Sequence, residues 1–213
     1  MNDLFYFIID TDVCNYADDT TLYATDSIPN RLIKRLEDDT EICVKWFYWN
    51  YMVLNGSKCH LLVGGNKNDT FSCTIDGSII KETGIEKLFG IKLDRELKFD
   101  TRVTEICKNA GQKLNALSRQ CKILPFNRRK LLVNSYFNSL FEYGKLLSMF
   151  YGRQLNSRIN ALHCRALRII YRNYDLSFLE LLELDGSCTI HHRNIKCLAT
   201  ELYKCKNSLF PLL

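Results

Sequence analysis

The chain lacks any apolar run long enough to cross a membrane, although 46% of its 213 residues are hydrophobic. A transmembrane helix needs about 20 mostly apolar residues, so no membrane span is expected. The basic stretch that opens a secretory signal peptide is also missing, because the chain starts Met1-Asn2-Asp3. We therefore expect a folded intracellular protein of the nucleus or cytoplasm, not a secreted one.

No Cys-x-x-Cys pair occurs, although the chain contains ten cysteines. A zinc ribbon or a redox motif is therefore not supported, and we expect reduced thiols that serve as small core residues. His191 and His192 are adjacent, and neighbouring side chains on a helix point about 100° apart. Together with Cys188, or with His163 and Cys164, they are not expected to form a zinc site.

Charge is distributed unevenly along the chain. Residues 1–100 contain 11 Lys and Arg against 17 Asp and Glu, whereas residues 101–213 contain 18 against 7. An acidic half followed by a basic half indicates two units, the second of which faces a polyanion such as nucleic acid. The alternative is that these cations coat solvated helix faces.

Two adjacent carboxylates, Asp18 and Asp19, lie between short runs of β-branched, aromatic and apolar residues at 13–16 and 20–24. Such runs are typical of strands, so a tight hairpin would hold both aspartates at its tip. Paired carboxylates on a rigid turn suit magnesium, which prefers oxygen ligands. An acidic surface turn in an unrelated domain is the alternative. A calcium loop starting at Asp10 is set aside because Asn15 occupies the position of its glycine.

The box Tyr16-Ala17-Asp18-Asp19-Thr20-Thr21-Leu22-Tyr23 resembles the catalytic hairpin of reverse transcriptases, in the form found in jockey-type non-LTR retrotransposons. Further segments resemble the same family in the expected order, so that the resemblance runs from Asn2 to about Lys206. These segments are residues 2–5, 55–58, 88–99, 161–171, 177–182 and 190–194.

This resemblance implies an RNA-directed DNA polymerase that uses two magnesium ions, an RNA template, a DNA primer and dNTPs. In such a hairpin Asp18 would be the main metal ligand and Asp19 would assist or orient. Tyr16 would pack beneath the pair, and Ala17 would leave room near the primer end.

Asn55 and Lys58 match the family segment that precedes a buried strand. The resemblance implies that Lys58 lies near the incoming triphosphate, where it would protonate the leaving pyrophosphate or offset its charge. The alternative is an ordinary turn lysine.

The expected fold class is α+β. Residues 1–100 would form a partial polymerase palm of antiparallel hairpins plus one long helix, capped at Ser27 and ending near Tyr51. Strands are predicted after Leu54 and over 88–94, and a hairpin at Asp76-Gly77. Trp46, Tyr48 and Trp49 are expected to pack against the sheet.

Residues 101–213 would form an all-α, thumb-like domain. Helices are predicted from Thr101 to Cys121, over 128–151, 156–172 and 190–206, and after a capping box at Ser177. Asn127 is a candidate cap for the second helix. The last helix is expected to bury Ile195, Leu198, Ala199, Leu202 and Tyr203.

Eight cations of this basic domain are the candidates for nucleic-acid binding. They are Lys113, Arg119, Lys122, Arg128, Arg129, Lys130, Arg165 and Arg168.

The family mechanism needs another carboxylate on a first palm strand, whose usual position lies upstream of Met1. Asp10 and Asp12 are too close to the hairpin in sequence to replace it. We therefore expect a reverse-transcriptase fragment that does not polymerise alone. A non-catalytic nucleic-acid-binding remnant, and more weakly an interaction module without a nucleic-acid role, are the alternatives.

Overall fold

A computed structural model describes residues 3–16, 19–65 and 70–209. It has a mixed α+β fold with small two-stranded sheets and several helices, so the predicted class is confirmed at that level. Packing divides the chain into two compact units, Met1–Lys87 with Asp94–Glu96 and Leu88–Leu93 with Leu97–Leu213. Within the described ranges, no helix combines the length and hydropathy needed to cross a bilayer.

The first unit contains two antiparallel hairpins and the long predicted helix. Strands β1 (Asp12–Tyr16) and β2 (Asp19–Tyr23) precede α1 (Pro29–Trp49), and β3 (Ser72–Ile75) pairs with β4 (Ser78–Lys81). The second hairpin confirms the Asp76-Gly77 prediction, since both residues have the positive φ that a type I′ turn requires.

The N-cap of helix α1 lies one residue later than predicted. Its N-cap is Ile28, not Ser27, and Pro29 occupies the first turn. The Asp26 carboxylate accepts the Ile28 amide hydrogen at 2.9 Å, so an aspartate two residues upstream satisfies this amide.

Two opposite faces of α1 pack against the two hairpins. Cys43 and Trp46 form a small core with Leu4, against which Leu22 of β2 packs. On the other face, Ile33 packs against Cys73 and its buried neighbours, and Glu37 accepts the Thr74 amide hydrogen at 2.7 Å. Of the three predicted aromatic contacts only Trp46 is buried, because Tyr48 and Trp49 lie outside this face and are exposed.

Two strand predictions in this region are wrong. The segment after Leu54 forms only an isolated bridge, Leu61 with Glu82. Residues 88–94 are not one strand, because Phe89 and Gly90 adopt positive φ and turn the chain between β5 (Ile85–Leu88) and β6 (Ile91–Asp94).

The second unit is mainly helical. Helices α2 (Asp100–Gln120), α5 (Arg153–Tyr171), α6 (Phe178–Asp185) and α7 (Ile190–Lys206) match predicted helices closely. The predicted capping box is confirmed, because Ser177 and Glu180 satisfy each other's backbone amides.

The helix predicted over 128–151 is broken instead. It consists of α3 (Phe126–Val133), the π-helical turn Asn134–Asn138, α4 (Ser139–Glu142) and the 3₁₀ turn Lys145–Phe150. Gly144, with φ of +63°, separates the last two. The cap of α3 is Pro125, so the Asn127 prediction is wrong.

The buried face of α7 differs from the predicted one. Ile190 and Asn194 are buried, whereas Ile195, Leu202 and Tyr203 are exposed. The helix packs against the turn Lys145–Phe150 and α5, and its two buried residues both lie in its N-terminal half.

Candidate functional site

The predicted Tyr-Ala-Asp-Asp hairpin is present. Strands β1 and β2 pair antiparallel in a register that runs from Asp12 opposite Tyr23 to Tyr16 opposite Asp19. Between the two strands in sequence are Ala17 and Asp18, which lie outside the described residues. Asp19 is the first residue of β2 and is exposed, so its carboxylate stands beside the turn and faces solvent.

The two faces of this hairpin differ in burial. Asp12, Tyr16 and Asp19 belong to its exposed face, while Val13 and Leu22 lie on the face that is partly buried. Tyr16 is 70% exposed, and its predicted packing beneath the aspartates involves Asp18, which lies outside the described residues. Residues directly opposite each other project to the same side of a sheet, so Tyr16 lies on the same face of the hairpin as Asp19.

A buried carboxylate on α1 holds the segment that leads into the hairpin. Asp39 is 1% exposed and accepts backbone hydrogens from Ile9, Asp10 and Thr11 at 3.2, 2.9 and 2.7 Å. Three hydrogen bonds to one carboxylate compensate its burial and fix the chain direction directly before β1.

Asp39 was not among the predicted site residues. It lies within the acidic run Glu37-Asp38-Asp39. The available signal was its spacing, because Asp39, Cys43 and Trp46 are separated by four and three residues and hence share one face of the helix. Cys43 and Trp46 on that face are buried.

Arg35, one turn before Asp39, connects both ends of the hairpin. Its guanidinium donates to the carbonyl of Asp10 and, at 3.5 Å, to that of Thr25. Asp26 lies 3.6 Å away and also accepts two hydrogen bonds from Arg31. These bonds, that from Arg31 first, hold the pKa of the Asp26 carboxyl well below its usual range. The base of the hairpin is thus fixed by polar contacts from a single helix.

Asn55 and Lys58 lie at a 3₁₀ turn, Gly56–Lys58. The Asn55 side chain accepts hydrogen bonds from the Ser57 amide at 3.1 Å and its hydroxyl at 2.6 Å, which gives Asn55 a local structural role. Lys58 is exposed, and among the described residues no hydrogen bond or ion pair joins it to the hairpin.

A magnesium ion at the hairpin would need oxygen ligands close to the turn. Asp19 fits one oxygen ligand of an ion that takes its other ligands from water and substrate phosphates. Asp12 lies four residues before Tyr16, about 13 Å along the strand, and the Asp39 carboxylate already accepts hydrogen bonds from three amides. Among the described residues no group of three His, Cys, Asp or Glu could hold a metal ion. A magnesium ion bound at this turn would therefore need further ligands beyond the described carboxylates.

The structure has the ten cysteines as free thiols, three of which are buried, so a core position applies to Cys43, Cys73 and Cys121. Burial raises the pKa of Cys43 and of Cys73 to about 11. These two thiols therefore stay protonated and unreactive near neutral pH.

His163 is buried in the second unit between two aromatic rings. Its ring stacks on Phe137 at 6.0 Å and meets Phe178 edge-on at 5.5 Å. Burial, aided by the nearby Arg193 cation and opposed by Asp185, lowers its pKa to about 4. The imidazole is therefore neutral near pH 7 and belongs to the core.

Positive charge is concentrated in the second unit. Residues 106–174 contain thirteen Lys and Arg against a single acid, Glu142, a net charge of +12. This segment of the sequence therefore supplies few carboxylates of its own to neutralise these cations.

Helices α2 and α5 pack along each other, and arginines line the contact. Arg158 donates to the Thr104 hydroxyl at 3.2 Å, and Arg165 to the Asn115 amide oxygen at 2.6 Å. Arg172 donates to the Cys121 carbonyl at 3.0 Å. All three acceptors are neutral, so the positive charge along the contact is oriented but not cancelled.

Lysines and arginines of α2 and the turn after it extend this row. We call the set the cationic stripe; it comprises Lys108, Arg119, Lys122, Arg158, Arg165 and Arg172. In the described structure none of them forms an ion pair with a carboxylate. The stretch from Thr104 to Cys121 spans about 25 Å of helix, the length of about seven phosphates on one strand of a duplex.

Other candidate cations have partners within the unit. Arg129 is only 7% exposed and donates to the carbonyls of Ile170 and Leu124 at 2.9 and 3.0 Å. Its assignment to a nucleic-acid surface is therefore wrong, because the guanidinium joins the end of α5 to the loop before α3.

Lys130 forms an ion pair with Asp185 at 2.8 Å, and this contact raises the pKa of Lys130. Burial opposes ionisation of Asp185, but Lys130 and Tyr171 outweigh it and lower the pKa of Asp185. The pair joins α3 to α6, so Lys130 is not a free phosphate ligand.

The remaining candidates differ in accessibility. Lys113 lies 5.9 Å from the centre of the Tyr136 ring, and the Nε atom of Arg168 is buried without a partner in the described structure. Arg128 is exposed. The exposed cations thus lie on α2 and its following turn, at the start of α3 and along α5.

Comparison with protein-family models, with curated proteins and with solved structures finds no match for this chain.

Proposed function

We propose that the chain is a fragment of an RNA-directed DNA polymerase, resembling those of jockey-type non-LTR retrotransposons. The observation that supports the proposal is the register of β1 and β2, which pairs Tyr16 with Asp19 and leaves Asp19 exposed at the start of β2. The first unit would supply part of the palm and the second the thumb.

In the proposed enzyme Asp18 and Asp19 hold magnesium, which when bound stabilises the attacking and leaving oxygens of nucleotidyl transfer. Asp39 and Arg35 act as positioning residues, because they fix both ends of the hairpin that presents these carboxylates. The further carboxylate that the chemistry needs comes from outside the described residues. Lys58, exposed and without an ion-pair partner in the described structure, remains the proposed contact to the triphosphate.

The cationic stripe would follow the phosphate backbone of the primer–template. Its three α5 arginines are oriented by neutral acceptors, so their charge remains available to phosphates. Binding by this stripe is electrostatic and is expected to weaken steeply with salt.

A non-catalytic nucleic-acid-binding protein is the second candidate. The net charge of +12 over residues 106–174 favours it without any requirement for metal. Binding to duplex RNA or RNA–DNA hybrid that is unaffected by chelation and by Asp19→Asn would agree with both candidates, so binding alone does not separate them.

A chimera separates them. The full 213-residue chain is fused behind the fingers and first palm strand of an active jockey-type enzyme, and primer extension on an RNA template is measured with magnesium. Extension is expected, and Asp18→Asn or Asp19→Asn should abolish it, whereas the control Asp12→Asn, at the far end of the same hairpin, should leave it unchanged. A folded chimera that binds primer–template but never extends it, or extends it equally well as Asp19→Asn, refutes the polymerase proposal.

A further inference from the structure

Helix α7 exposes an apolar row that nothing in the described chain covers. Ile195 is 40% and Leu202 60% exposed, and Ala199 lies between them one turn from each. Lys196 and Lys206 lie on the same outward side of the helix and form no ion pair in the described structure. We call these five residues the basic α7 face.

Helix α6 exposes a row of the same width but opposite charge. Leu179 is 70% exposed and Leu184 is also exposed, and Glu180 and Glu183 lie between them around the helix. Glu180 is held by its capping box, whereas Glu183 has no ion-pair partner among the described residues. We call these four residues the acidic α6 face.

We propose that the acidic α6 face of one chain binds the basic α7 face of a second copy. Both faces are exposed to solvent within one copy, so they do not pack against each other in the same chain. Between copies, leucines would meet leucine and isoleucine while Glu183 faces Lys196 or Lys206. A two-fold axis would form this contact twice, which closes the assembly as a dimer.

A second copy fits better than an unrelated partner because the chain carries both complementary faces. An amphipathic helix of another protein would match only one of them. The acidic α6 face also differs from its surroundings, since Glu180, Glu183 and Asp185 account for three of the seven acids in residues 101–213. This inference does not rest on the polymerase proposal.

The first measurement is the solution mass of the nucleic-acid-free chain across a concentration series, by light scattering after size exclusion. A mass that rises to twice 24.9 kDa and no further is expected, with dissociation promoted by salt. A monomer at all concentrations, or growth beyond the dimer, overturns the proposal.

Charge reversal then tests which helices meet. Glu183→Lys alone should weaken dimerisation by about tenfold or more. Lys196→Glu with Lys206→Glu should do the same, and combining all three changes should restore most of the loss. The control Lys108→Glu, on an exposed part of α2, should leave the mass unchanged. Reversals that change nothing, or a combined variant no better than the single ones, refute the α6–α7 pairing.

Leu202→Gln provides an independent test that keeps the charges. It should abolish the dimer while helix content, measured by circular dichroism, stays that of the parent chain. If residues after Leu209 cover the row instead, Leu202→Gln would lower stability and leave the mass unaltered, which would contradict the proposal.

Discussion

Replacing Asp39 with alanine is expected to release the segment that leads into β1. The substitution removes three hydrogen bonds between one carboxylate and the amides of Ile9, Asp10 and Thr11. A hydrogen bond to a charged group contributes about 1.5–3 kcal/mol. Ile9 and Asp10 are exposed, so water replaces part of the loss, and we expect about 2–4 kcal/mol in total.

The matched control is Asp38→Ala. Asp38 is the adjacent acid on the same helix and is exposed, so its removal should change stability by no more than about 0.5 kcal/mol. Both tryptophans of the chain lie in α1, and Trp46 is buried beside the hairpin. Urea unfolding followed by tryptophan fluorescence therefore reports on the first unit specifically.

Amide hydrogen exchange gives the local readout. Asp39→Ala should increase exchange at Ile9, Asp10 and Thr11, and Asp38→Ala should not. If the two variants unfold at the same urea concentration, or if exchange at these three amides is unaltered, the anchoring role of Asp39 is refuted.

Three further predictions concern the second unit. Stability of this unit, followed by helix circular dichroism in urea, should fall as pH drops from 6.5 to 4, because neutral His163 binds fewer protons folded than unfolded. The difference between the ordinary pKa of 6.5 and the folded pKa of about 4 corresponds to a loss of about 3 kcal/mol of folding stability, which is complete only below pH 4. His163→Leu should flatten this pH dependence. An unchanged pH dependence in that variant would contradict the role of His163. Arg129→Lys should destabilise the unit by about 2–4 kcal/mol, since an ammonium cannot donate to both the Ile170 and the Leu124 carbonyl. The control Arg128→Lys, at an exposed position, should leave stability unchanged. Equal urea midpoints for the two variants would refute the structural role of Arg129. Arg165→Ala and Arg119→Ala should each reduce the salt dependence of duplex binding by about one counterion, and a slope that does not change would remove them from the interface.

Hairpins and helix ends were predicted correctly where a few neighbouring residues determine them. The Tyr-Ala-Asp-Asp hairpin follows from two short β-type runs around a polar pair, and the capping box fixes the start of α6 through Ser177 and Glu180. The prediction failed where a glycine with positive φ changes the chain direction. Gly90 lies in the turn within the strand predicted over 88–94, and Gly144 interrupts the helix predicted over 128–151.

Burial could not be predicted from the pattern alone when a helix has two plausible faces. Helix α7 was assigned with its correct ends, but the apolar row through Leu202 is exposed, and the two buried residues of the helix both lie in its N-terminal half. Arg129 was predicted to bind nucleic acid, yet its guanidinium donates to carbonyls 41 and 5 residues away. Such contacts depend on neighbours that are distant in sequence.

Helix α1 contacts both β3 and the β1–β2 hairpin, so its position determines the position of the candidate site. Glu37 and Ile33 hold β3 from one face of the helix, and Arg35 and Asp39 hold the hairpin from the other. A single helix therefore sets the position of Asp19 relative to β3. A substitution that rotates or shortens α1 would displace the hairpin and β3 together, so changes in Arg35 or Asp39 should impair any chemistry at the turn while leaving the exposed carboxylate itself intact.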